Sequence, residues 1–424
     1  MSEGDSETSI APGPLDGYRI VDCSAMISGP LATMMLGDQG ADVIKVEPPG
    51  TGDGVRGFGS RRPGFPALFV TTNRSKRSIA LDLKQKRGRE VLLKLAAGAD
   101  VFVQNFRPGV VERMGIGYDD IRAVRPDIVY VSISGFGESG PYRNARVYDP
   151  VIQALSGLAA IQSDENGRPR MVRTVVPDKL TAVTAAQAIT AALLTRARSG
   201  EGQHLRLAML DIMVAFLWPE GMARHTYVGD NEGSGRPLSK RDLIFETQDG
   251  YITVGAISNR EWEGLCRVLE RLDWLEDPRF ANASTRVKHI DERLELTANE
   301  IVKRTTQDWL ERLRAEQVPC APVLQREDLF NDPQILANKL LVESVHPLAG
   351  RMIQPRPAAR FEKTPAAIRR PAPALGQHTD EILQQLGLSD TEVASLRDDG
   401  VVSGELVAIA TESTGPARPA GSKS

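Results

Sequence analysis

Up to the DIVYVSISGFG segment, short apolar runs alternate with helical patterns, and this alternation restricts the fold more than any other feature. The runs YRIVDC, ADVIKVE, RSIALDL, DVFVQNF and DIVYVSISGFG read as strands. Between them, LATMMLGDQG (ending at Gly40), KRGREVLLKLAAG and GVVERMG read as helices. Strands separated by helices predict a parallel sheet with crossover helices. The expected class is α/β, with a doubly wound parallel-sheet large domain.

At 424 residues the chain exceeds one ordinary core, so roughly two to three domains are expected. The large domain is placed at 16–230. After Gly157 it turns helical, most clearly in Leu180–Thr195 and in LRLAMLDIMVAFLWPEGMARH. Gly229–Lys240 is rich in Gly, Ser, Asn and Pro and reads as a linker. A smaller α+β domain is placed at 235–325. It opens with a hairpin, DLIFETQDGYITVGAI, turning at Asp249-Gly250. Helices follow from Arg260 to about Glu316. A Pro-rich return to the large domain at 330–402 ends in the helix TDEILQQLGL. Residues 1–15 and 404–424 are small, polar and Pro-containing, and are expected to be flexible.

Composition removes several function classes. Hydrophobic residues at 41% and charged residues at 25% are those of a soluble globular chain. A net charge of −3 gives no general attraction to nucleic acid or anionic lipid. The acidic, polar start has no signal-peptide pattern. The longest uncharged run, Leu180–Thr195, is shorter than the roughly 20 residues a spanning helix needs. It reads as a buried helix. A cytoplasmic protein without membrane or nucleic-acid partners is expected. Cys23, Cys266 and Cys320 are odd in number and form no ligand spacing. His204, His225, His289, His346 and His378 are equally scattered. No metal and no redox cofactor are expected.

Gly135–Gly140, GFGESG, matches Gly-x-Gly-x-x-Gly after a strand. Pro141 and a loop follow instead of a helix, so the dinucleotide reading lacks its context. A tight loop beside a ligand is the better reading. Val55–Ser78 carries Arg56, Arg61, Arg62, Arg74, Lys76 and Arg77 with no acidic residue. It is either a solvated basic face or a phosphate site. Asn105, Phe106, Arg107, Arg113 and Met114 follow a strand end, where open α/β sheets bind ligands. Phe106 is placed to stack on an adenine and Arg113 to reach a phosphate; the bland alternative is core Phe and Met with a surface Arg. Arg146, Tyr148 and Asp149 precede another apolar helix. Asp178 follows a Pro and directly precedes the uncharged segment. On that segment alone, a helix N-cap competes with a functional carboxylate.

Taken in order, these segments resemble the family III CoA-transferases, a group that includes α-methylacyl-CoA racemases. The blocks are LDGYRIVDCSAMISGPLATMMLGDQGADVIKVEPPGTGD, NRSKRSIALDLK, VFVQNFRPGVVERMG, GFGESGPYRNARVYDPVIQALSG, GEGQHLRLAMLD, VPCAPV and LGQHTDEIL. The resemblance implies an interlocked homodimer and coenzyme A as co-substrate. It places Lys76, Asn105, Phe106, Arg113, Met114 and Arg146 at the CoA site, and Asp178 as the essential nucleophile. Tyr148 and Asp149 are expected beside the substrate. Gly233 and Gly235 are expected in a lid. Tyr148 stands where racemases of the family carry a His. With a reference pKa of about 10, Tyr is a poor proton shuttle near neutrality. The implied reaction moves CoA from an acyl-CoA, such as succinyl-CoA, to a free carboxylic acid. The alternatives are an acyl-CoA racemase or epimerase, and a non-catalytic acyl-CoA-binding homologue. Pro48 and Ile27 depart from the pattern: several members carry an Arg at the first position and the oxalate enzymes a polar residue at the second.

Overall fold

The computed structural model describes residues 11–59, 62–164, 166–222, 225–229 and 242–404. The chain forms two compact units. One comprises the chain up to Ile152, Thr174–Met213 and the chain from Leu341 onward; the other comprises Gln153–Arg173 and Val214–Leu340.

The first unit is built on a seven-stranded sheet. Its elements begin β1 (Arg19–Asp22), α1 (Ser28–Asp38), β2 (Asp42–Glu47), α2 (Ala67–Asn73), β3 (Lys76–Leu81), α3 (Lys86–Ala97) and β4 (Val101–Gln104). They continue with α4 (Val110–Met114), α5 (Tyr118–Val124), β5 (Val129–Ser134), α6 (Asp149–Leu155), α7 (Leu158–Ile161), α8 (Val176–Ser199), β6 (Gln203–Ala208) and α9 (Met209–Leu217); of these, α7 belongs to the other unit, as do α6 after Ile152 and α9 after Met213. The parallel strands run in the order β3-β2-β1-β4-β5-β6. A short strand, Val402–Ser403, pairs antiparallel with β3 at the edge.

Both faces of the sheet are covered, as parallel sheets require. Side chains alternate between them with period two. Ile20, Val43, Val101, Val103, Val129 and Val131 face α1 and α8. Val21, Ile44, Phe102 and Tyr130 face the opposite core, with Leu92 and Leu95 of α3 and Ile121 of α5. The buried stripe of α8 is mostly alanine: Ala182, Ala185, Ala186, Ile189, Ala192 and Leu193. Such small residues let α8 approach α1 and the sheet closely. The uncharged segment is therefore a helix packed on a sheet. By length and composition alone, α8 would also pass as a membrane span.

The order 3-2-1-4-5-6 reverses direction between β1 and β4. Open α/β sheets bind ligands at such a switch point, outside the strands' carboxyl ends.

The second unit holds a three-stranded antiparallel sheet, Ile244–Glu246, Tyr251–Val254 and Cys320–Pro322. Helices Asn259–Val268, Ile290–Ile301 and Thr306–Ala315 close it over Trp262, Trp274, Phe280 and Trp309. The hairpin is present, with Asp249 and Gly250 in its turn.

Three elements differ from expectation. Leu205–Ala208, read as the start of a helix, belongs to β6. The Pro-rich return contains a hairpin, Leu341–His346 with Gly350–Pro355. A further helix, Asp390–Asp398, follows the expected one at Thr379–Gln385.

Candidate active site

The β1–α1 loop is held from beneath by buried charges. Asp22, at the end of β1, accepts from the Ser24 backbone N–H at 3.0 Å, the Ser24 hydroxyl, and the Thr33 hydroxyl of α1 at 2.7 Å. Lys76 Nζ reaches the same carboxylate at 2.9 Å, and also Pro30 O at 2.8 Å and Asn73 Oδ1 at 2.9 Å. Lys45 Nζ donates to Ser24 O at 3.0 Å and to Asp53 Oδ2 at 2.9 Å. Asp53 in turn accepts from the Met26 N–H at 3.1 Å. Burial opposes ionisation of Asp22, but the two ammonium groups and the hydroxyls outweigh it and hold its pKa well below the carboxylate range. Burial also lowers Lys76 to about 8, against the pull of Asp22. Both remain charged at neutral pH.

Across the switch point, Asn105 follows β4 and clamps this loop. Its Oδ1 accepts from the Ala25 N–H at 2.9 Å, and its Nδ2 donates to Ala25 O at 2.7 Å. The two sides of the crevice are thus tied at the backbone.

Over this clamp lies a cavity of about 660 Å³. Ser28, Asn105, Phe106, Arg107, Phe136, Arg143, Arg146, Tyr148, Asp149 and Asp178 are among its lining residues. The glycine loop supplies one wall. Gly135 packs so tightly on Val147 that a Cβ would stand 2.4 Å from its Cγ1. That close approach is why the glycine stretch is a ligand-side loop.

Asp178 is not the N-cap of α8; Val175 is, and Asp178 is the third residue of the helix, within its first turn. The carboxylate is thus not spent on capping. Asp149, buried at the start of α6, accepts the Asp178 N–H at 3.2 Å. Burial, then the neighbouring Asp149 charge, push Asp178 up to about 6; the Ser28 hydroxyl partly offsets them. The first turn of α8 also favours an anion, but desolvation and like charge prevail. Near pH 7 most Asp178 is ionised and poorly solvated, the state a carboxylate nucleophile needs.

A raised folded pKa means that the ionised group opposes folding. The opposition is absent below about pH 4 and fully present above about pH 6. Asp178→Asn is therefore expected to stabilise the protein by about 1–3 kcal/mol above pH 6.5 and by little at pH 4. Urea denaturation across that range measures it; a gain independent of pH would contradict it.

The structure brings Asn105, Phe106, Arg146, Tyr148, Asp149 and Asp178 together around one cavity. It corrects the placement of Lys76. That side chain is fully buried on β3 and ion-paired to Asp22, so it has no reach to a ligand phosphate. Arg74 and Arg77 of the same basic stretch are likewise buried and paired, with Asp38 and Asp42. Arg113 is exposed on α4 and Met114 packs half-buried on the core; neither lines the cavity. Gly233 and Gly235 lie outside the described residues. Ser28, Phe136 and Arg143 were missed. Ser28 carried a weak signal, an Ser-Gly-Pro helix start after a strand–turn. Cys23 is buried, and burial raises its thiol far out of the reactive range. Among the described residues no cluster of His, Cys, Asp or Glu is suited to a metal ion.

A switch-point cavity in an open α/β sheet, with a desolvated carboxylate on a helix and arginines at its rim, has the chemistry that acyl transfer between anionic substrates requires. A family model described as CoA-transferase family III matches residues 15–379. The human succinyl-CoA:glutarate CoA-transferase is 35% identical over 395 residues, covering 92% of this chain and 90% of that protein. The formyl-CoA:oxalate CoA-transferase of Rhodopseudomonas palustris strain BisA53 is 33% identical, covering 92% and 97%. Among solved structures, a CaiB/BaiF family protein from Brucella suis superposes with a TM-score of 0.77 at 30% identity, covering 88% and 100%. The chain belongs to family III of the CoA-transferases. It is an enzyme that transfers CoA from an acyl-CoA to a carboxylic acid.

Proposed function

We propose that Asp178 carries the acyl and CoA groups in turn, and that the substrates include dicarboxylic acids. An Asp178 oxygen attacks the donor thioester carbon. The C–S bond breaks, CoA leaves as thiolate, and a mixed anhydride remains. The thiolate then attacks the aspartyl carbonyl, giving an aspartyl-CoA thioester and releasing the donor acid. The acceptor carboxylate attacks that thioester and forms a second anhydride. The returning thiolate takes the acceptor acyl group and frees Asp178. Every step exchanges acyl groups between carboxylate and thiolate, so none calls for a metal or a redox cofactor. The observation that carries this reading is the desolvated Asp178 in the cavity wall.

CoA binding is assigned to Asn105, Phe106 and Arg146, with Tyr148 and Asp149 beside the acyl group. Tyr148 is 69% exposed and free to meet a substrate. Arg107, Arg143 and Arg146 give the cavity three guanidinium groups. A dicarboxylate has a second charge for them to hold, which fits relatives named for succinyl-CoA and glutarate. Arg143→Met is expected to lower kcat/KM for dicarboxylic acceptors by about 10–100-fold, the worth of a charge-assisted hydrogen bond, and to leave monocarboxylates within a few-fold. Equal losses for both would contradict the assignment.

An interlocked homodimer is proposed as the working form. In support, Val183, Leu194 and Phe361 are exposed around a second, largely apolar cavity between α1, α8 and the 355–361 segment.

Mass-spectrometric exchange tests the function: purified protein with succinyl-CoA, acetyl-CoA or formyl-CoA and a panel of carboxylic acids. New acyl-CoA products support it. Deuterium entering the α-carbon of a 2-methylacyl-CoA without exchange would replace it with racemisation.

A further inference from the structure

Ser28 opens α1, is 5% exposed and lines the same cavity as Asp178, where its hydroxyl works against the rise in the Asp178 pKa. Its place is fixed from several directions. Gly29 beside it has no room for a side chain, since a Cβ would stand 2.3 Å from both Cβ and Oγ of Ser24. Ser24 is bonded to Asp22 through its backbone N–H and its hydroxyl. Thr33, one turn along α1, is bonded to the same carboxylate at 2.7 Å. One buried anion therefore holds the loop before Ser28 and the helix after it. On its other side, α1 packs against the alanine stripe of α8, the helix that carries Asp178.

Charged and titratable groups reach the cavity from other elements. Asp149 comes from α6, and Arg143, Arg146 and Tyr148 from the loop before it. Arg107 follows β4. On α8 itself, Lys179 is bonded to Thr174 at 2.8 Å. Asp149 is the neighbour that opposes ionisation of Asp178, and Ser28 is the neutral donor set against it.

We propose that Ser28 is a positioning residue: its hydroxyl holds one Asp178 oxygen and favours the ionised carboxylate, leaving the other oxygen aimed into the cavity. This rests on the reading of Asp178 as the nucleophile. A neutral donor to a carboxylate stabilises its charged form, so removing it moves the titration upward.

The test compares wild type, Ser28→Ala, Asp178→Asn and the double variant, all as full chains. CoA exchange is followed from pH 5 to 9, and urea stability from pH 4 to 8. Ser28→Ala is expected to shift the acidic limb of kcat/KM upward by about half to one unit. Activity then falls about 2–6-fold at pH 6 and stays within about twofold at pH 8.5. The pH at which the stabilisation by Asp178→Asn levels off is expected to move up equally in the Ser28→Ala background, a readout that needs no substrate. If Asp178→Asn is inactive while both midpoints stay at their wild-type values, or if Ser28→Ala loses activity equally at every pH, the role of Ser28 is overturned. If Asp178→Asn still exchanges CoA, the nucleophile reading itself fails.

Discussion

Asp178→Ala is expected to lower kcat for CoA transfer by at least about 10⁴-fold, the usual consequence of deleting a covalent nucleophile. Acyl-CoA affinity should remain within a few-fold. The separation follows from geometry. Phe106, Arg107, Arg143 and Arg146 line the cavity independently of Asp178 and can still hold an anionic thioester. Among the described residues lining this cavity, the other carboxylate is not placed to substitute. Asp149 is buried at 3% exposure, and its Oδ2 is engaged by the Asp178 N–H. Equilibrium binding of an acyl-CoA to the variant, alongside single-turnover exchange, separates the two effects. A loss in affinity matching the loss in rate would assign Asp178 to binding alone.

Lys76→Met is expected to cost about 3–5 kcal/mol of stability, because it strips an ammonium from a fully buried carboxylate. A fall in Tm of roughly 6–12 °C follows for a unit of this size. Asp22 would keep its hydroxyl donors and the more distant Lys45, which sets the lower end of the range. The same substitution distinguishes the two roles open to Lys76. A residue that contacts CoA would raise KM on mutation and leave Tm unchanged. A residue that anchors the β1–α1 loop lowers Tm and impairs turnover through Met26 on that loop and Ser28 directly after it. Thermal denaturation with and without acyl-CoA decides between them.

Local pattern sufficed for the first five strands, because a doubly covered sheet needs continuous apolar runs and helices must follow them. It failed at β6. The sequence QHLRLA alternates only weakly at the sheet's edge, and the apolar helix after it pulls the reading toward helix. The 341–355 hairpin was hidden by its prolines and by strands whose residues are mostly exposed. At the site, Tyr148 and Asp149 fall within a recognisable block and Asp178 in the stretch between that block and the next, and the structure places all three around one cavity. It misjudged Lys76, since a lysine in a basic run looks solvated unless its carboxylate partner, 54 residues earlier, is known to face it. Ser28 escaped for the same reason: its partner lies on α8, and only the packing of α1 on α8 joins them.

The most direct measurement of the central claim is trapping of the covalent carrier. The protein is incubated with succinyl-CoA, quenched with hydroxylamine, digested and examined by mass spectrometry. An aspartyl hydroxamate at Asp178, absent without acyl-CoA, is the predicted result. Active exchange with an unmodified Asp178, or with the hydroxamate on another carboxylate, would contradict it.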